Sequence, residues 1–285
     1  MKRSILENSI FNVSYKVLNI LFPAITSIYL SRILGPAYIG KVSYAQNIMT
    51  YFLVIASFGI PSYGVREIAK KIKEKNEMSK AFSEIFLINL VASLICSIAY
   101  TAFLFCFGQF HNDILLYICV GVTLYMNIFN IDWFYLGNEE YAFIAVRSFV
   151  VKILSLLAIF IFVKHKEAYI VYALITSIGT TGNYLLNLAK LKNKVNFNIK
   201  HLELKQHLKP MGIMFITLLA TNAYNQMDVT ILGTICSDKT VGYYTNGVKL
   251  VRMVCSIPVA ISSTIIPRMC LYYGDQNTNS FRDLF

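Results

Sequence analysis

The chain has 285 residues, of which 56% are hydrophobic and 14% charged, with a mean hydropathy of +0.56. An ordinary soluble domain carries roughly 25% charged residues, so this is membrane composition. The net charge of +11 does not make a nucleic-acid binder, because the basic residues stand in short blocks between long apolar runs and not on one solvated face.

The first apolar run, Ile10 to Leu34, follows a basic start at Lys2 and Arg3. It is too long for a cleaved leader, contains Lys16 and lacks a small-x-small cleavage site, so it reads as a spanning helix. A bilayer core of about 30 Å takes about 20 helical residues. Seven more runs meet that length: Val42 to Tyr63, Ala81 to Phe107, Ile114 to Leu136, Phe143 to Val163, Ala168 to Ala189, Met211 to Gly233, and Val241 to Pro267. None keeps a sustained alternation of period 2, and lipid admits only helices or closed barrels, so an all-α membrane protein of about eight spans is expected.

Basic residues orient the spans. With a cytoplasmic N-terminus, sixteen Lys and Arg fall in the inside segments and five (Arg32, Lys41, Lys164, Lys166, Lys239) outside, which places both termini in the cytoplasm. The longest polar connection, KLKNKVNFNIKHLELKQHLKP, comes after six spans. It suggests an N-terminal lobe over 1–190, a basic linker over 191–210 and the first part of a second lobe over 211–285. An offset of 202 lays IGKVSYAQNIMTYFLVIASFGIPSYGVR over VGYYTNGVKLVRMVCSIPVAISSTIIPR, with Gly40 on Gly242 and Arg66 on Arg268. A six-helix repeat returns the chain to its starting side, so the copies would be related about an axis along the membrane normal.

Polar residues inside the spans fall on stripes. The first helix carries Asn12, Lys16, Asn19, Pro23 and Ser27 on one face, the sixth Thr176, Thr180, Asn183 and Asn187, and the seventh Thr221, Asn225 and Asp228. Lys249 and Arg252, three apart on the eighth, are neighbours. Charges at mid-bilayer cost on the order of 2.5 to 3.5 kcal/mol, so they normally face a bundle interior or a hydrated cavity. Two plainer readings stand beside that one: amides and hydroxyls that bond neighbouring helices, and basic side chains such as Arg32, Arg147 and Lys152 that snorkel to the headgroups. Pro23, Pro61, Pro258 and Pro267 are places where helices could bend.

In FNIDWFYLGNEEYAFIAVR the turn at Gly137 separates Asp132 from Arg147, and each lies five residues from the turn's edge. Equal depth of about 7 to 8 Å permits an ion pair between the fourth and fifth spans, a gate element and not a cargo contact. Trp133 and Tyr135 are expected at the inner interface, where aromatic rings favour the headgroup level. Six cysteines show no CxxC spacing, and the four histidines are scattered over loops and rims, so neither metal, disulfide nor cofactor is expected. The absence of HExxH, GxSxG, P-loop and DxD patterns speaks against an enzyme.

LSRILGPAYIGKVSYAQNI, FNIDWFYLGNEEYAFIAVRSFVVKILSL, and VGYYTNGVKLVRMV followed by IIPRM resemble the polysaccharide biosynthesis flippases, the O-antigen and capsule repeat-unit exporters of the MATE-like superfamily. The resemblance covers nearly the whole chain. It implies a MATE-like bundle of two six-helix lobes around a central cavity. By alternating access, that bundle would carry an undecaprenyl-pyrophosphate-linked oligosaccharide across the bacterial plasma membrane. Cavity cations would meet the pyrophosphate, a role carried over to Lys16, Lys249 and Arg252, with Asn12, Asn19, Asn225 and Asp228 as polar lining. Pathway partners would be a polysaccharide polymerase and glycosyltransferases. Members of the family have about twelve or more spans, so a chain that stops after eight is expected to be truncated. A drug/cation antiporter of the same superfamily is one alternative, but it would want acidic cavity residues, and only Asp132, Asp228 and Glu84 are available; a non-functional truncated remnant is the other.

Overall fold

The computed structural model describes residue 22 and residues 25–191, 194–197 and 202–274, with side chains as far as 256. Described residues form helices and no strands: α1 (25–33), α2 (Gly35–Ser57), α3 (Ile60–Lys71), α4 (Lys75–Cys106), α5 (Ile114–Tyr125), α6 (Asp132–Gly137), α7 (Tyr141–Phe162), α8 (Tyr169–Leu191), α9 (Lys205–Ile235) and α10 (Asp238–Gly274). Turns alternate between two ends of the bundle. One is marked by Asp113, which accepts hydrogen bonds from Lys41 of α2 at 2.6 Å and Tyr169 of α8 at 2.8 Å. The other is marked by Glu140, which holds Lys190 at 2.9 Å and also Lys194.

The protein is an all-α membrane protein. Four helical stretches among the described residues (Gly35–Lys71, Lys75–Cys106, Gly108–Phe129 and Tyr141–Phe162) are each long and apolar enough to cross a bilayer. Large apolar side chains project outward in rows, Leu94, Ile95 and Ile98 on α4 and Phe149, Ile153, Leu154 and Leu157 on α7. Water would penalise such continuous faces, whereas lipid does not.

Two spans expected to be continuous are broken. Between α2 and α3 the backbone turns left-handed at Phe58 (φ 41°) and Gly59 (φ 75°). Pro61 then sits in the first turn of α3, where its missing N–H leaves no bond unmade, so it opens a helix instead of bending one. The fourth span stops at Tyr125, passes through a 3-10 turn at Met126–Phe129 and restarts as α6. Carbonyls freed inside a membrane need partners. Asn89 of α4 supplies them: its amide donates to the carbonyls of Asn127 and Ile128, both at 3.1 Å, while the Asn127 amide donates to Ser93 Oγ at 3.0 Å.

The break re-aims the aromatic residues that follow. Trp133 and Tyr135 lie not at an interface but in the core, 2% and 0% exposed. Gly64 of α3 is the reason, since a Cβ there would strike the Trp133 ring. Phe82 stacks on Trp133 with centroids 5.4 Å apart, and Tyr135 donates to the Asn187 carbonyl at 2.6 Å.

At the Asp113 end, α2 and α10 cross at backbone contact. A Cβ on Gly40 would overlap the Asp238 carbonyl, and one on Gly242 would overlap the Pro36 carbonyl. The contact is reciprocal under the internal repeat, because Gly40 and Gly242, and likewise Pro36 and Asp238, are 202 residues apart. A second pair obeys the same offset. Tyr44 of α2 packs on Gly233 of α9, and Asn246 of α10 donates to Ser31 of α1 at 3.2 Å. Thus α2 meets α9 as α10 meets α1.

Candidate functional site

The helices around this crossing enclose a run of polar cavities. On α2, Ser43, Gln46, Asn47 and Thr50 follow helical spacing and share a face. They line a cavity of about 240 Å³ opposite Asn225 of α9 and Lys249 and Arg252 of α10. Asn47, 3% exposed, ties the wall together: its amide donates to the Gln226 carbonyl at 2.9 Å and its oxygen accepts from Thr230 at 2.8 Å. Arg252 donates to the Asn225 carbonyl at 3.2 Å. Lys249, with Ser43 and Gln46, also lines the adjoining cavity of about 180 Å³, whose far wall includes Thr26 of α1 and Thr176 of α8.

Thr176 and Phe22 in turn border a third cavity, of about 340 Å³, between α6, α7 and α8. Its walls carry Asp132, Arg147, Ser148, Lys152, Ser155, Thr180 and Asn183. Here Arg147, its side chain 3% exposed, grips Asp132 with both terminal nitrogens, at 3.0 and 3.3 Å. It also donates to the Asn183 carbonyl at 3.3 Å and to Asn187 Oδ1, while the Asn187 amide donates back to Asp132. Arg147 is therefore buried in the bundle and does not snorkel.

The structure thus brings Asn225, Lys249 and Arg252 to one cavity and Asp132 and Arg147 to another that joins it through an intermediate one. Asp228 lines none of the three; its carboxylate accepts from Tyr244 on the exposed side of α9 and α10. Asn12, Lys16 and Asn19 lie outside the described residues. Across the three cavities the described lining includes four cationic side chains, Lys249, Arg252, Lys152 and Arg147, and one acid, Asp132, already paired. Charges in a low-dielectric interior act over several ångströms, so this run of cavities suits an anion.

One cluster was not anticipated from sequence. Glu84 of α4 and His207 of α9, 0% and 1% exposed, meet at 2.8 Å, and the other imidazole nitrogen lies 2.7 Å from the Tyr63 hydroxyl of α3. His207 sits in the basic connection, where only its partners 123 and 144 residues away reveal that it is buried. Among the described residues no group of three His, Cys, Asp or Glu is arranged to hold a metal.

The Glu140 end carries a pH-dependent tie. Burial opposes the Glu140 charge, but hydrogen bonds from Lys194 and Lys190 outweigh it and hold the carboxyl below the ordinary glutamate value. Its contribution is present above the unfolded value of about 4.3 and is lost as pH falls through the lower folded one. Glu140→Gln is expected to lower stability at neutral pH by about 1 kcal/mol. It should also flatten the acid-induced change in fluorescence of Trp133, the single tryptophan. The same acid transition in the variant would assign it to another carboxylate.

A family model described as polysaccharide biosynthesis protein matches residues 5–272. A protein of Shigella dysenteriae named "Putative O-antigen transporter" is 24% identical over 270 residues, covering 93% of this chain and 67% of that protein. Its namesake from Escherichia coli (strain K12) is 22% identical over 273 residues, covering 94% of this chain and 65% of that protein. The chain therefore spans about two thirds of the length of these relatives. No solved structure matches the chain.

Proposed function

Because the chain belongs to the polysaccharide biosynthesis protein family, we propose that it takes part in exporting undecaprenyl-pyrophosphate-linked oligosaccharide repeat units for O-antigen or capsule across the bacterial inner membrane. Both relatives named above carry O-antigen transporter in their names. The observation that carries the reading is the pair Lys249 and Arg252, facing Asn225 and the polar face of α2 with no acid among the described lining of that cavity. A pyrophosphate is the part of such a cargo that cations inside a membrane would hold, Arg by bidentate hydrogen bonds and Lys as a point charge. The drug/cation antiporter alternative fits less well, since the one acid among the described lining of the three cavities is already bound to Arg147.

In this reading, residues 1–190 and 211–285 belong to two lobes joined by the basic connection, both termini are cytoplasmic, and the α2–α10 crossing closes the outer end. Parting that crossing while the Glu140 end closes would give alternating access. Glycosyltransferases that build the cargo and a polymerase that receives it are the pathway partners.

Binding of undecaprenyl pyrophosphate to the detergent-solubilised chain tests the assignment. Replacing both Lys249 and Arg252 with alanine is expected to weaken binding on the order of a hundredfold, two charge-assisted contacts being removed. Unchanged affinity in the double variant would sink the site.

A further inference from the structure

The buried Glu84–His207 pair has no part in holding an anion, and it sits where the two halves of the chain meet. Three donors converge on the Glu84 carboxylate: His207 Nε2 at 2.8 Å, the Glu203 backbone N–H at 2.7 Å and Gln206 Nε2 at 3.3 Å. That donor set suits an ionised carboxylate. Tyr63, on the far side of the imidazole, can either donate to Nδ1 or accept from it, so the chain of hydrogen bonds stays intact whether the ring is neutral or protonated. Charge balance separates the two states. The pair holding one proton is neutral overall, whether written as ion pair or as acid and imidazole. Without that proton, a carboxylate stands fully buried against a neutral ring, an arrangement a low-dielectric interior penalises.

Among the described residues, Lys80 is the cation that acts on the Glu84 carboxylate beside His207. From α3 the cluster faces Tyr63, with Arg66 and Glu67 beyond it, and Glu67 is bonded to Lys70 and Lys71. From α4 comes Lys80, which pairs with Glu203 at 3.7 Å, and the segment entering α9 supplies Glu203 and Gln206.

Location gives the proton a consequence. The pair joins α4 to the first turn of α9, and Tyr63 extends the join to α3. Directly alongside, α9 presses on the left-handed break between α2 and α3: a Cβ on Gly59 would overlap the Met211 carbonyl and approach the Phe215 nitrogen. The start of α9, whose later turns bear Asn225, is thus clamped against a backbone hinge. We propose that Glu84 and His207 form a one-proton site whose occupancy governs the seating of α9 on α3 and α4, tying the geometry of the cavity wall to pH at the Glu140 end.

The sign follows from the charges. The proton-bearing pair secures the join, and the contribution is lost as pH rises and the proton leaves. Hydrogen–deuterium exchange of the solubilised chain, expressed as protection factors so that intrinsic exchange rates cancel, reads it. Protection over 205–215 is expected to fall about tenfold between pH 6 and pH 9. Glu84→Gln keeps a hydrogen-bonding side chain of the same size and removes the buried charge, and it should abolish the pH dependence while leaving 205–215 protected at both pH values. A wild-type protection factor that does not move with pH, or one that moves equally in Glu84→Gln, overturns the proposal.

Discussion

Truncating Arg147 to alanine is expected to destabilise the protein by about 3 to 5 kcal/mol, the range for breaking a buried ion pair from one side. The guanidinium makes four polar contacts in the bundle, two to Asp132 and one each to the Asn183 carbonyl and Asn187 Oδ1. It also lies 5.7 Å from the Phe143 ring centroid. Asp132→Ala should cost nearly as much, because it leaves a guanidinium buried without its counter-charge. The exchanged pair, Asp132→Arg with Arg147→Asp, is expected to recover about 1 kcal/mol or more relative to the worse single variant, since attraction is restored between contacting positions. Full recovery is not expected: an acid at 147 has nothing to donate to the Asn183 carbonyl. Unfolding by SDS titration in mixed micelles measures all three, and an exchanged protein less stable than both single variants would show that something other than the charge pair holds α6 to α7 and α8.

That pairing was legible in the sequence because it depends on local spacing: two charges at equal depth on either side of one turn have few other ways to be satisfied in lipid. The helical class was legible for a similar reason, since run length and apolarity answer to the bilayer alone. What stayed hidden depends on partners remote in the chain. The run from Ile114 to Leu136 looks continuous, and it breaks only where Asn89 of another helix satisfies the freed carbonyls. Trp133 reads as an interfacial ring until Gly64 provides a notch for it. His207 reads as a loop histidine in a lysine-rich connection, and only Glu84 and Tyr63 make it a core residue. Asp228 shares a stripe with Asn225, yet the three-residue spacing spreads a helical face widely enough for Tyr244 to take the carboxylate on the exposed side.

Substitutions at the α2–α10 crossing carry the internal repeat to a test that sequence identity is too low to provide. Gly40→Ala and Gly242→Ala each put a methyl group where a backbone carbonyl of the other helix already lies, so no side-chain rotation relieves either clash and the helices must separate. Alanine is the better helix former by about 1 kcal/mol, which offsets part of the penalty. Each single variant is still expected to lose about 1 to 3 kcal/mol on balance, as overpacked contacts do. Because the contact maps onto itself under the offset of 202, the two losses should be nearly equal. They should also fail to add: once one methyl has pushed α2 and α10 apart, the second enters space already opened, and the double variant should lose less than the sum. Sub-additivity follows from the shared crossing alone, whereas chance alignment of the two segments does not predict equality. Unequal single losses that sum in the double variant would mean that the crossing has no two-fold character, and that the repeat read from Gly40 and Gly242 is an accident of composition.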